Sequence, residues 1–144
     1  MPSVLPEGEP APADGSLPAS ALAGLGTRPF GFYVHVPFCA TRCGYCDFNT
    51  YVPGEQGAEQ ASGYVAAVLA EIDLAARVLG PVSVDTVFFG GGTPTLLSAD
   101  ELTRILRHID DRFGLEPGAE VTTEANPESV DPRKLTALRE AGFT

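Results

Sequence analysis

Residues 84–113 read VDTVFFGGGTPTLLSADELTRILRHIDDRF. Val84 to Phe89 is a strand-length run of β-branched and aromatic residues. Gly90-Gly91-Gly92-Thr93-Pro94-Thr95 reads as the loop after it. Ser98 and Glu101 then carry the spacing of a capping box at a helix start. Leu102, Ile105, Leu106, Ile109 and Phe113 recur on one helical face, and Gly114 stops the helix. A strand, a loop and a helix in that order make one β-α unit.

The same order stands on either side. Upstream, Phe30 to Val36 (FGFYVHV) reads as a strand ended by Pro37. Phe32, Val34 and Val36 share one of its faces, and Tyr33 and His35 the other. A loop rich in glycine and cysteine runs to about Glu59. Tyr64, Val68, Ile72, Ala75 and Leu79 then recur at helical spacing until Gly80-Pro81. Downstream, Ala119 to Ala125 (AEVTTEA) reads as a third strand. Asp131 caps a third helix with Pro132 at its first position, Val130 and Leu135 are spaced as a hydrophobic staple, and Gly142 stands at the stop. Three β-α units in a row predict an α/β fold with a parallel sheet. Residues 29–144 are expected to form this domain. Residues 1–28, with Pro2, Pro6, Pro10, Pro12 and Pro18 among Ala, Gly and Ser, read as a disordered tail. A closed or nearly closed barrel needs more units, so the domain reads as incomplete, with a fourth strand expected at or after Thr144. Strand three is then an edge, with Val121 and Ala125 expected to be poorly covered.

Nine basic and nineteen acidic residues give a net charge of −10. That excludes the broad basic face that nucleic acid requires. No apolar run approaches the ~18 residues of a transmembrane helix. Glu7, Glu9 and Asp14 stand where a signal peptide would be basic. The three cysteines lie within eight residues, which does not suit a disulfide framework. The expected compartment is the cytoplasm.

Those cysteines, Cys39, Cys43 and Cys46, are spaced C-x3-C-x2-C directly after strand one. A structural zinc site takes four protein ligands, and His35, back in the strand, is a poor fourth. A [4Fe–4S] cluster on three thiolates leaves one iron open to another ligand. Iron–sulfur, zinc and chance clustering are the three readings, the first favoured by spacing. Gly90 to Thr95 lacks the G-x-G-x-x-G pattern and the lysine of a phosphate loop. It is either a tight turn or a place where backbone approaches a ligand. In the second case a Cβ at Gly91 or Gly92 collides with that ligand or needs a forbidden dihedral. Glu120, Thr122 and Glu124 alternate on one face of strand three. Glu124 is either part of a solvated strand mouth or an acceptor for ligand hydroxyls or an amine. All three loci fall at the carboxyl ends of successive parallel strands, where α/β folds place ligands. His108 lies off the apolar stripe and reads as solvated. Arg42 either offsets cluster charge or is a solvated loop residue.

YVHVPFCATRCGYCDF, FFGGGTPT and TEANPES resemble the N-terminal half of the radical S-adenosylmethionine superfamily. Within it they are similar to the branch of oxygen-independent coproporphyrinogen III oxidases and haem chaperones. The likeness covers about residues 30–144. It implies a partial or full (β/α) barrel of which this chain holds three units. It implies that Cys39, Cys43 and Cys46 ligate three irons of a [4Fe–4S] cluster, and that S-adenosylmethionine binds the fourth and is cleaved to a 5′-deoxyadenosyl radical. By resemblance Tyr33 lies by the cofactor and Tyr45 near its adenine. Gly91, Gly92 and Thr93 take its methionine end, and Glu124 also contacts it. The oxidases carry a fourth cysteine two positions after the third, where this chain has Phe48. Cys46-Asp47-Phe48 resembles the haem chaperones instead, which implies haem as ligand, a haem-acceptor protein and an electron donor as partners. A coproporphyrinogen III dehydrogenase is the alternative, and an inactive fragment a third reading.

Overall fold

The computed structural model describes residues 10, 12–53 and 61–144. Three β-α units follow one another: β1 (Gly31–Val36), α2 (Ala61–Leu79), β2 (Val84–Gly91), α3 (Ala99–Phe113), β3 (Leu115–Thr123) and α4 (Pro132–Glu140). A single-turn helix, α1 (Ala19–Leu22), precedes them. Short 3-10 turns at Pro94–Leu96 and Pro127–Ser129 lie between strand and helix in the second and third units. Among the described residues the sheet has the order β1-β2-β3 and both pairings are parallel.

The starts of α3 and α4 and the stops of α2 and α3 follow from their end residues. Ser98 and Glu101 form the reciprocal capping box of α3, and Asp131 accepts from the Lys134 amide at the start of α4. Gly80 and Gly114 take positive φ beyond α2 and α3. The helices cover one face of the sheet. Val34 and Val36 from β1, Val87 and Phe89 from β2 and Val121 from β3 form the core with Val65 and Ile72 of α2. Leu102, Ile105, Leu106 and Ile109 of α3 and Leu138 of α4 complete it. Each such side chain contributes about 1.5–3 kcal/mol on burial. Phe30, Phe32 and Phe113 close the amino-terminal end of the sheet edge to face. Among the described residues the opposite face of the sheet is uncovered: Tyr33 is 57% exposed and Phe88 39%.

Several expectations shift. β2 runs on to Gly91, so the first two glycines of the loop are strand residues paired with His35 and Val36. β3 begins at Leu115, because Val84 pairs with Leu115 and Thr86 with Glu120. Pro117, which has no N–H, and Gly118, at φ +85°, sit in the irregular stretch between those pairs. β3 ends at Thr123, and Glu124 lies one residue beyond, although its amide still donates to the Phe89 carbonyl at 2.9 Å. Val121 is buried, not poorly covered, and its carbonyl accepts from the Thr144 amide at 2.8 Å. Ala125 is exposed, as is Leu135 of the expected staple. Of the expected tail, residues 1–9 and 11 lie outside the described residues. Gly15 lies against Leu74, so part of that segment rests on α2.

His108 is not a solvated residue. Its side chain faces α2, with Nε2 2.8 Å from Asp73 Oδ1, and the same oxygen takes Arg112 Nε at 2.7 Å. The His108 hydrogen bond, followed by the Arg112 charge, holds the Asp73 carboxyl below its ordinary value against the opposing effect of burial.

A candidate cofactor site at the carboxyl ends of the strands

The cysteine loop is pinned at its base. Phe38 and Tyr51 form an isolated parallel bridge, the Cys39 amide donates to the Tyr51 carbonyl, and the Tyr51 amide donates to the Pro37 carbonyl. Within the loop the Cys46 amide donates to the Cys43 carbonyl at 3.1 Å, a turn that carries the last two cysteines. Arg42 is a structural anchor: its Nη2 donates to the carbonyl of buried Thr50 at 2.8 Å. The Thr50 hydroxyl lies 4.0 Å from Cys46 Sγ, and the Thr93 hydroxyl donates toward Cys39 Sγ at 4.0 Å.

The glycine loop lies directly against this base. The Gly92 amide donates to the Val36 carbonyl and the Thr93 amide to the Phe38 carbonyl. A Cβ on Gly92 would stand 2.6 Å from the Phe38 oxygen and 2.8 Å from Cys39 Sγ. Gly91 has φ +114°, and a Cβ there would meet the His35 ring at 2.8 Å. The collisions expected with a ligand are therefore already present with the protein itself. Glu124, from the end of β3, reaches across so that its Oε2 accepts from the Gly91 amide at 3.1 Å.

On the uncovered face, register sets two rows. Tyr33, Phe88 and Thr122 stand side by side, and His35 is opposite Gly90. The Tyr33 ring stacks on Phe88 with centroids 5.8 Å apart. His35 joins strand to loop. Asn49 offers a carbonyl at 2.9 Å from Nε2, so that nitrogen carries the proton and donates. Nδ1 is left to accept from the Tyr33 hydroxyl at 2.9 Å. His35, set aside as a ligand, thus fixes both Tyr33 and the far side of the cysteine loop.

The structure brings Cys39, Gly91, Gly92, Thr93 and Glu124 into one constellation, with Tyr33 beside it through His35. Tyr45 stands apart, 90% exposed on the turn between Cys43 and Cys46. Cys43 is exposed and Cys39 and Cys46 half-buried, all three free of disulfides. The thiols share a loop but are not gathered: among the described residues no three His, Cys, Asp or Glu side chains are placed to hold a metal ion. Drawing the sulfurs together is work left to the metal. The donor chemistry fits a [4Fe–4S] cluster. It offers three soft thiols free of disulfides, a hydroxyl donating toward the first, and a glycine flush against that same sulfur.

Sequence reasoning passed over Thr95, Ser129 and Lys134, which join the glycine loop to the segment after Glu124 from behind. The available signal was a lysine in the first turn of α4, the end of a helix that repels cations.

The radical SAM superfamily model matches residues 33–144. The chain is 50% identical over 123 residues to the heme chaperone HemW of Mycobacterium tuberculosis, covering 85% of this chain and 32% of that protein. It is 37% identical over 139 residues to the oxygen-independent coproporphyrinogen III oxidase of Paracoccus denitrificans, covering 94% of this chain and 29% of that one. Among solved structures, coproporphyrinogen III oxidase (HemN) from Escherichia coli, a radical SAM enzyme, superposes with a TM-score of 0.75 at 31% identity, over 86% of this chain and 28% of that one. The chain thus spans about a third of the length of these relatives. With three parallel β-α units, a three-cysteine loop after the first strand and a family match from Tyr33 to Thr144, the chain belongs to the radical SAM superfamily.

Proposed function

We propose that the chain is the cluster- and S-adenosylmethionine-binding part of a haem chaperone, which binds haem and passes it to acceptor proteins. The observation that carries this reading is Phe48. It stands two positions after Cys46, where the resembling oxidases have a cysteine, and it offers an exposed ring in place of a further thiol. The 50% identity to a relative named a heme chaperone supports it.

In this reading Cys39, Cys43 and Cys46 hold three irons of the cluster. When bound, the cluster supplies one electron and one iron with no protein ligand. The chain's own residues do the rest. Gly91, Gly92 and Thr93, packed against the cysteine loop, take the methionine end of S-adenosylmethionine. Glu124, fixed by the Gly91 amide, presents its carboxylate to the same molecule. Tyr33, oriented by His35, flanks it, and Tyr45 is free to cover the adenine. Haem, its acceptor and an electron donor are the partners, and the cytoplasm, which keeps thiols reduced, is the compartment. Among the described residues no helix is long and apolar enough to cross a membrane.

The test uses the full-length protein, reconstituted anaerobically with iron and sulfide. Titrated haem should bind stoichiometrically and move to a haem-free acceptor. Coproporphyrinogen III with S-adenosylmethionine and a reductant should release no carbon dioxide. Catalytic decarboxylation would replace this reading with the porphyrinogen dehydrogenase.

A further inference from the structure

We infer that Lys134 is a positioning residue for the S-adenosylmethionine site, a clamp that sets the distance between the glycine loop and Glu124. The inference rests on the cofactor reading above. Lys134 is the third residue of α4, where the exposed amides of the first turn make a cation unfavourable. Partial burial also holds its ammonium below the ordinary lysine value, against the charges of Asp131 and Glu101. Something must offset both costs. Nζ donates to the carbonyls of Thr95, Leu97 and Ser129, the last two at 2.7 and 3.3 Å. Three ammonium protons thus meet three carbonyls, none of them on its own helix.

The acceptors identify the task. Thr95 and Leu97 belong to the segment that carries Gly91, Gly92 and Thr93 into α3. Ser129 belongs to the segment that carries Glu124 into α4. A second bond ties the same two segments. The Ser129 hydroxyl donates to the Asn126 carbonyl at 2.7 Å, so its oxygen accepts from the Thr95 hydroxyl at 2.5 Å. Thr95 is fully buried. The loops are therefore joined behind by Thr95, Ser129 and Lys134, and in front by the Gly91 amide on Glu124. The front link lies on the ligand's side and must adjust when ligand enters. The rear link lies away from it and holds the spacing beforehand, so less ordering is left to binding.

Lys134→Met keeps the length and apolar stem and removes the three donors. In the full-length protein, amide exchange across Gly90–Thr95 and Glu124–Ser129 should accelerate while α3 keeps its protection. Iron and sulfide content should be unchanged. Affinity for S-adenosylmethionine, read from the change it makes in the electron paramagnetic resonance of the reduced cluster, should fall about ten-fold or more, the usual effect of removing a supporting residue. Ile109→Val, a core change away from the loops, should lower the melting temperature and leave that affinity intact. Thr95→Val cuts the second bond alone and should shift exchange and affinity in the same direction if Lys134→Met does not fold. Unprotected loops with weakened affinity support the clamp. Wild-type loop exchange in both variants, or wild-type affinity in both, overturns it. A wild-type protein whose cluster signal ignores S-adenosylmethionine overturns the cofactor reading instead, and loop exchange still reports on the clamp.

Discussion

A single methyl group at residue 92 would press on a backbone oxygen and on the sulfur of Cys39. Gly92→Ala should therefore damage the metal site as well as the cofactor site. After anaerobic reconstitution it should show a reduced thiolate-to-iron band near ~400 nm, as each of Cys39→Ala, Cys43→Ala and Cys46→Ala should. Full iron content in Gly92→Ala would show that the Cys39 sulfur can move aside freely. Gly91→Ala meets a different obstacle, since φ +114° is closed to a side chain at a cost of roughly 1–3 kcal/mol. It should lower the melting temperature, and with it S-adenosylmethionine binding. These glycines stood out in the sequence, but their contacts did not. Composition signals that backbone approaches something, and only the fold shows that the something is the neighbouring loop. Arg42 and His35 were obscure for a related reason: their partners are backbone carbonyls of Thr50 and Asn49, which leave no trace in residue identity.

The helices were the most legible elements, because α3 and α4 carry start signals and α2 and α3 glycine stops. Ser98→Ala removes one half of the capping box and should cost about 1 kcal/mol, seen as a lower thermal midpoint. β3 was less legible. Pro117-Gly118 reads as a turn, yet the sheet absorbs it as an irregularity and begins pairing at Leu115. His108 was misread because the apolar stripe of α3 reports only what faces the core, whereas α2 packs on a neighbouring face and supplies Asp73. That link has a pH signature. A carboxyl with a lowered folded value contributes stability above its unfolded value, here 3.8, and loses it as pH falls through the folded value. Asp73→Asn should melt below the wild type at pH 7, and the difference should shrink as pH falls below 3.8 and through the lowered folded value. A gap that persists undiminished in acid would mean that the carboxylate charge plays no part.

At the scale of the whole molecule, stability is concentrated in one layer. Phe143 packs on Phe89 in the core, with ring centroids 5.3 Å apart, and Thr144 then meets β3 at Val121. Phe143→Ala should cost about 3–5 kcal/mol, measurable by chemical denaturation. By contrast Tyr33→Phe and Phe88→Leu, on the uncovered face, should barely move the midpoint. The parallel order of the three strands was legible from the alternation of patterns. That one face would lie open was not, because Tyr33 and Phe88 look as apolar as their buried neighbours. The open face divides every strand into two interleaved messages. In β1, Phe32, Val34 and Val36 turn to the helices, and Tyr33 and His35 stand on the open face. In β2 the same alternation separates Val87 and Phe89 from Phe88, with Gly90 closed in by Tyr33, Phe88 and Glu124 on that face. Evolution can thus edit one message without rewriting the other, residue by alternate residue. A slip of one position in strand register would exchange them, sending the site inward and the core out to water.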